Sequence, residues 1–267
     1  MESGVRTGQC TAAAPLTVNA GMSRRAMTDR ILETADQAGS RAALVDATDG
    51  SVTAWPRFAR TVRAAACGLA RRGLADGDTA GVLVQDAASA AVAVNAIRAA
   101  GGAACLIDAS AGPADIAARL NACGARLLIT SAPLAELAAA GADRSRVRQV
   151  ISFGEAAGTT PFGSLLASGP ADGPAAMVEP GRPEEGNGQV DQYELTHRDV
   201  VVAGPPCGDG QAYTSFLDLT LLTGATLVAA PLPLVAAAMR VYKGTAVIVP
   251  RGTGMPAVAA ARVFPVG

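Results

Sequence analysis

The stretch that decides the fold runs Thr79-Ala80-Gly81-Val82-Leu83-Val84, Ala87 to Ala100, Ala103-Ala104-Cys105-Leu106-Ile107, Pro113 to Ala122, and Arg126-Leu127-Leu128-Ile129-Thr130. Short apolar runs alternate here with longer Ala-rich segments of helical period. Pro113 opens its segment in the first helical turn, where a missing N–H removes no bond. The alternation continues with a helix from Pro133 to Ala140 and a strand from Val147 to Ser152. Strands joined through helices need right-handed crossovers, which give parallel pairing with both faces covered. The fold class is therefore α/β, an open, mostly parallel sheet with helices on both faces.

Upstream, Phe58, Val62, Ala65, Ala66 and Leu69 form the apolar stripe of a helix from Trp55 to Arg72. Arg57, Arg60, Arg63, Arg71 and Arg72 lie on its other faces as a solvated surface, and Gly73 stops it. Met27, Ile31, Leu32 and Ala35 predict a helix between Arg24 and Ala38, and Ala42 to Asp46 with Ser51 to Ala54 reads as two short strands around an Asp-Gly turn. Downstream, residues 154–192 hold no sustained period and read as a long loop. Beyond them come a helix starting at Thr196, a helix from Tyr213 to Thr223, a strand from Thr226 to Ala230, a helix from Leu234 to Val241 and a strand from Thr245 to Val249. The expected organisation is a disordered leader over 1–23, with Met22 and Met27 as alternative starts, an α/β domain over 24–250 and a tail over 251–267.

Composition narrows the function. Lys and Arg number 22 against 23 Asp and Glu, for a net charge of -1. No cluster of cations suits a phosphate backbone or an anionic bilayer, so neither nucleic acid nor membrane is expected as a partner. The most apolar stretch, Leu217 to Ala238, is interrupted by Gly, Pro, Thr and Asp and does not read as a membrane span. The first residues lack the continuous apolar run of a secretory signal. The five cysteines form no CxxC pair, and with one His in the chain no Cys/His zinc site can be assembled, so no metal is expected. Scattered in apolar contexts, they read as reduced, buried thiols of a cytoplasmic protein. Lys243 is the single lysine, which excludes any mechanism that needs two.

Three segments, in order, resemble the adenylate-forming superfamily of acyl-CoA synthetases, aryl-CoA ligases and peptide-synthetase adenylation domains. Thr53-Ala54-Trp55 with Phe58, then Ala66-Cys67-Gly68-Leu69-Ala70-Arg71-Arg72-Gly73-Leu74 and Asp76-Gly77-Asp78-Thr79, is similar to the family's opening. Ile97-Arg98-Ala99-Ala100-Gly101-Gly102-Ala103, Ile107-Asp108 and Ile116 to Thr130 match its next segment. Leu195-Thr196-His197-Arg198-Asp199-Val200-Val201 resembles the family's "L-T-H-R-N-L-V". The resemblance spans about residues 28 to 250 and implies the large N-terminal domain of an acyl-CoA synthetase, an AMP-binding fold.

The departures matter as much. The family places a Ser/Thr/Gly loop ending in lysine just before "L-T-H-R", where backbone amides converge on the ATP phosphates. Here that place is taken by Glu185-Gly186-Asn187-Gly188-Gln189-Val190-Asp191-Gln192-Tyr193-Glu194, with no Ser, Thr or Lys and three carboxylates. Each like charge about 4 Å from a phosphate costs on the order of 4 kcal/mol at an effective dielectric near 20. The Gly158-Thr159-Thr160 of Ala157 to Gly163 lies too far upstream and lacks a lysine, so it reads as an ordinary loop. The family's adenine- and ribose-contacting segments and its C-terminal domain with the adenylating lysine are expected to be absent.

No residue is assigned a catalytic role outright. His197, the sole imidazole, is a candidate general base or a brace for a helix capped by Thr196. Cys207, in Pro205-Pro206-Cys207-Gly208, is a candidate nucleophile or an ordinary loop cysteine. Gln211, Tyr213 and His197 are the substrate-binding candidates, standing nearest the place where the family meets its acyl or aryl group. Asp108 ends a strand at the carboxyl side, where open α/β sheets place ligands, or helps a turn there. The expected function is that of a truncated acyl-CoA synthetase-like pseudoenzyme that does not adenylate alone. It would bind a small acyl or aryl ligand and form a homo-oligomer or pair with a partner protein. Two alternatives stay open: an ATP-independent enzyme of specialised metabolism using His197, Asp199, Cys207 or Tyr213, and a ligase completed in trans. No cofactor is expected, with ATP and Mg entering only if the family's activity persists.

Overall fold

Ala87 to Ala99 forms a helix, α3, that is apolar nearly all round, and a helix of that kind must be buried on every side. That requirement organises the molecule. The computed structural model describes residues 23–167, 195–206, 208, 210–250 and 262–266. In chain order the elements before α3 are α1 (Arg24–Gln37), β1 (Ala42–Asp46), β2 (Val52–Ala54), α2 (Trp55–Arg71) and β3 (Thr79–Leu83). After it come β4 (Ala103–Leu106), α4 (Pro113–Ala122), β5 (Leu127–Ser131), α5 (Ala135–Ala142), β6 (Gln149–Phe153), β7 (Thr160–Pro161) and α6 (Gly163–Leu166). The last group is β8 (Val200–Ala203), α7 (Gly210–Leu222), β9 (Thr226–Ala229), α8 (Val235–Val241), β10 (Ala246–Pro250) and β11 (Arg262–Val266).

The strands make two sheets where the sequence pattern suggested one. One is all parallel, in the order β4-β3-β5-β6-β7. The other runs β11-β10-β8-β9-β1-β2 and is parallel except for the β1–β2 hairpin. Alternation along each strand shows why both are covered on two faces. In β8, Val201 and Ala203 join the central core while Val202 faces Val235, Ala238 and Met239 of α8. In β5, Leu127 and Ile129 join the same central core while Leu128 faces Ile116 and Leu120 of α4. The layers are thus α8, the six-stranded sheet, a central layer of α1, α2, α3 and α7, the five-stranded sheet, and α4 with α5. Alanine along α3 lets the two sheets approach it closely. In β1 a bulge at Ala42 to Leu44 puts Ala43 and Leu44 on the same face, and Val45 returns to the other.

Helix starts follow the chemistry of their first residues. The Ser23 hydroxyl accepts the Ala26 N–H at 3.2 Å, and the Asp86 carboxylate accepts the Ser89 N–H at 2.7 Å. Pro56 and Pro113 stand in the first turns of α2 and α4. Gly73 closes α2 at φ 89.

Three sequence expectations are corrected. The helix expected from Thr196 is instead a tight turn followed by strand β8, because Val200-Val201-Val202 is β-branched and pairs with both β9 and β10. The loop expected over 154–192 contains β7 and α6, too short to leave a periodic signal. The tail contributes β11, paired parallel to β10. Residues 1–22 of the leader and residues 168–194, including the counterpart of the family's phosphate loop, lie outside the described residues. No helix among the described residues is long and apolar enough to cross a membrane.

Candidate functional site

All but one of the strand pairings are parallel, so each sheet has a distinct carboxyl edge, the place where open α/β sheets receive ligands. The two edges meet at one point. Asp108, just after β4, accepts the N–H of Gly208, in the loop after β8, at 2.8 Å through Oδ2. Its Oδ1 accepts the Ser110 N–H at 2.8 Å and the Ser110 hydroxyl at 2.6 Å. Nearby, a Cβ on Gly210 would lie 2.9 Å from the Leu106 carbonyl oxygen, so only glycine lets α7 begin this close to β4. On the other side of the loop, the Tyr213 hydroxyl donates to the Gly204 carbonyl at 2.7 Å. Gly204, Gly208 and Gly210 are thereby held beside a groove of about 410 Å³ lined by Ile107, Asp108, Asp115, Arg119 and Gly208 among others.

Partial burial pushes the Asp108 carboxyl up, but the Ser110 hydroxyl and the Gly208 and Ser110 amides outweigh it and hold the group below its ordinary value. A carboxylate depressed in the folded state adds stability above its unfolded value and loses it as pH falls through the lower folded one. Protection of the Gly208 amide against hydrogen exchange should therefore decline in acid over that window. Asp108→Ala should abolish the protection at every pH and cost about 1 kcal/mol of stability in urea unfolding. Unchanged Gly208 exchange in that variant would show that the tie is immaterial.

The sequence candidates are not all brought together. Gln211 is exposed in the first turn of α7, next to Gly210. Tyr213 is 0% exposed and braces the core through its bond to Gly204. His197 lies at the opposite edge: Arg41 Nη1 donates to the His197 carbonyl at 3.0 Å and to the Gly224 carbonyl at 3.2 Å. Gly224 follows the last turn of α7, so the length of that helix, about 18 Å at 1.5 Å per residue, separates His197 from Gln211. The His197 side chain is exposed and has no hydrogen-bond partner among the described residues. Asp199 is buried and knits the turn, accepting the Thr196 N–H at 2.6 Å, the Thr196 hydroxyl at 2.9 Å and the Thr245 hydroxyl at 2.7 Å. Cys207 lies outside the described residues. In the Gly-Thr-Thr segment the hydroxyls serve the fold: Thr159 Oγ1 lies 2.7 Å from Ser152 Oγ, and Thr160 Oγ1 accepts from Gln149 Nε2 at 2.9 Å.

Cations divide along the same axis, while carboxylates stand at both edges, Asp76, Asp78 and Asp199 among those at the amino edges. At the carboxyl edges the described loops carry Asp46, Asp49, Asp86, Asp108 and Glu155, and none of their residues is Lys, Arg or His. The nearest arginine along the groove, Arg119, stands more than a turn into α4. Arg41, Arg126, Arg148, Arg198, His197 and Lys243 all stand at the amino edges. Among the described residues, these carboxyl-edge loops supply no cation to a magnesium-bound triphosphate, which needs cations and converging amides around its anionic oxygens. Among the described residues no group of three or more His, Cys, Asp or Glu is placed to hold a metal ion.

Over residues 31–185, more than half of its length, the chain matches the model of the AMP-binding enzyme family. The chain belongs to that family. No curated protein matches it by sequence. Solved structures of the same fold include a long-chain-fatty-acid-CoA ligase from Archaeoglobus fulgidus, with TM-score 0.71 and 17% identity over 85% of this chain and 51% of that one. A benzoate CoA ligase from Burkholderia xenovorans LB400 aligns with TM-score 0.67 and 16% identity, over 89% of this chain and 54% of the other. The N-terminal domain of FACL13 from Mycobacterium tuberculosis gives TM-score 0.71 and 16% identity, over 88% and 67%. At such identities the likeness is one of fold, and the AMP-binding chain spans about half the length of the ligases it matches. Its architecture, mostly parallel sheets flanked by helices, is that of the N-terminal domain of acyl-CoA ligases.

Proposed function

We propose that this member of the AMP-binding family does not adenylate with its own residues. It holds a small acyl or aryl ligand at the carboxyl edge beside the loop from Gly204 to Gly210. The observation that carries this reading is the placement of the cations: none stands in the described carboxyl-edge loops, and the chain's single lysine, Lys243, is exposed just before β10 on the opposite edge. Glu185, Asp191 and Glu194 add further negative charge in the sequence where the family carries its phosphate loop. Neighbours of the same fold are ligases of a long-chain fatty acid and of benzoate, which supports an acyl or aryl ligand class. Cytoplasmic residence and a homo-oligomer or partner protein belong to the same proposal. The exposed Leu232, Leu234 and Val241 on and beside α8 support an association of that kind.

Thermal unfolding of the chain with Mg-ATP, then with benzoate or a fatty acid, tests the reading. A native-state ligand present at about 100 times its Kd adds about 2.7 kcal/mol. The expected result is no shift with Mg-ATP and a shift with at least one carboxylic acid. A clear Mg-ATP shift would overturn the non-adenylating reading and favour a ligase that handles nucleotide, completed in trans. Failure of every acid tried would remove the ligand.

A further inference from the structure

The groove of about 410 Å³ beside Gly208 is walled on one side by α4, through Asp115, Ala118, Arg119 and Ala122, and Ile107 and Ala111 line it between β4 and that helix. Alanine at 111, 118 and 122 leaves open the space that larger side chains would fill. The charged groups of the groove are Asp108, Asp115 and Arg119, and the two acids already have structural work. The Asp108 carboxylate is taken up by the Gly208 amide and by Ser110. Asp115 stands in the first turn of α4, where the positive end of a helix favours a carboxylate. Arg119, one turn further on, makes no side-chain hydrogen bond or ion pair among the described residues.

We infer that Arg119 anchors the carboxylate of the bound acid and that the groove selects a short aryl acid over a long-chain one. The inference rests on the reading that an acid binds beside the loop from Gly204 to Gly210. A guanidinium stays charged at every working pH and grips both oxygens of a carboxylate in its fork. Asp108 and Asp115 repel a carboxylate placed beside them, which leaves Arg119 as its one favourable position in the groove. With the anion held there, the apolar body of the acid lies against Ile107 and against Ala118 and Ala122, which are neighbours one turn apart on α4. Length sets the class. From Asp115 to Ala122 the helical wall runs about 10 Å at 1.5 Å per residue, enough for a benzene ring and its carboxylate. The tail of a long-chain acid would pass the end of that wall into water, where it buries no further apolar area.

Isothermal calorimetry of the full-length chain with benzoate, benzamide and dodecanoate tests this. Benzoate should bind, and benzamide, the same ring without the charge, should bind at least about tenfold more weakly. Arg119→Gln should weaken benzoate by a similar factor, and Ala118→Phe should block it by filling the groove. Both positions are exposed on α4, so neither substitution strikes the core. Dodecanoate should bind no more tightly than benzoate. Benzamide binding as well as benzoate, or a folded Arg119→Gln that keeps the unsubstituted affinity, would overturn the inference and leave the proposed ligand in place. Dodecanoate bound more tightly than benzoate would overturn the selection for a short acid. A chain that binds neither acid would remove the ligand itself and the inference with it. The benzamide comparison needs no substitution, so it decides the matter even if a variant fails to fold.

Discussion

Asp218→Ala is expected to destabilise the fold by about 3–5 kcal/mol in urea unfolding near neutral pH. Asp218 of α7 accepts a hydrogen bond from Arg98 Nη1 of α3 at 2.7 Å, inside the central helix layer, with the two residues only 5% and 7% exposed. Truncating the aspartate leaves a guanidinium in the core whose Nε already lacks a hydrogen-bond partner among the described residues. Replacing both, as Arg98→Met with Asp218→Leu, should recover most of the loss or exceed the parent, because an ion pair this buried returns little beyond its desolvation cost. A single variant within 1 kcal/mol of the parent would mean that water reaches the pair.

The pair also sets a pH dependence. Burial pushes the Asp218 carboxyl above its ordinary value, and Arg98 offsets only part of that rise. The folded state therefore binds this proton more tightly than the unfolded state. Stability from the group is complete below the unfolded value and falls as pH rises through the folded one. The double variant should lack that slope.

Gly68→Ala should cost about 2–3 kcal/mol, although alanine is the better helix former by about 1 kcal/mol. A Cβ at position 68 of α2 would lie 2.6 Å from the Leu165 carbonyl oxygen, 2.7 Å from its Cβ and 2.8 Å from its Cα. The obstruction is mostly backbone, so α6 must move off α2 rather than rotate a side chain. That displacement unseats Leu165, 1% exposed, strains the 2.9 Å bond from Arg72 Nη2 to Ser164 Oγ, and disturbs Phe162, stacked on Phe153 at 4.1 Å. The sign is decisive: a stabilising Gly68→Ala would show that α6 is not seated there in solution.

That contact also marks the limit of what the sequence conveys. The long elements were legible because their period is sustained or their start is marked: Phe58 to Leu69 on α2, the Ala-rich run from Ala87 on α3, and Pro113 opening α4. The short α6 and the two-residue β7 have no period to read, and their place is set by Gly68 and β6, far away in sequence. Membership of two separate sheets was equally hidden, since Leu127 and Val201 look alike as strand residues and differ only in partners. At the candidate site, Asp108 was legible as a strand-end carboxylate, while its bond to Gly208 spans a hundred positions that no local pattern encodes. His197 and Gln211 looked close along the chain, but strand β8 and helix α7 carry them to opposite edges.

The six-stranded sheet has a consequence for how the chain is made. β3 through β7 occupy one contiguous stretch, so the five-stranded sheet can assemble from neighbours as synthesis proceeds. β1 emerges earlier but pairs with β9, Leu44 opposite Leu227, and cannot be closed in until that strand has left the ribosome. Through most of translation the first hairpin therefore carries an open strand edge, the kind of surface that invites association with other nascent chains and that chaperones bind.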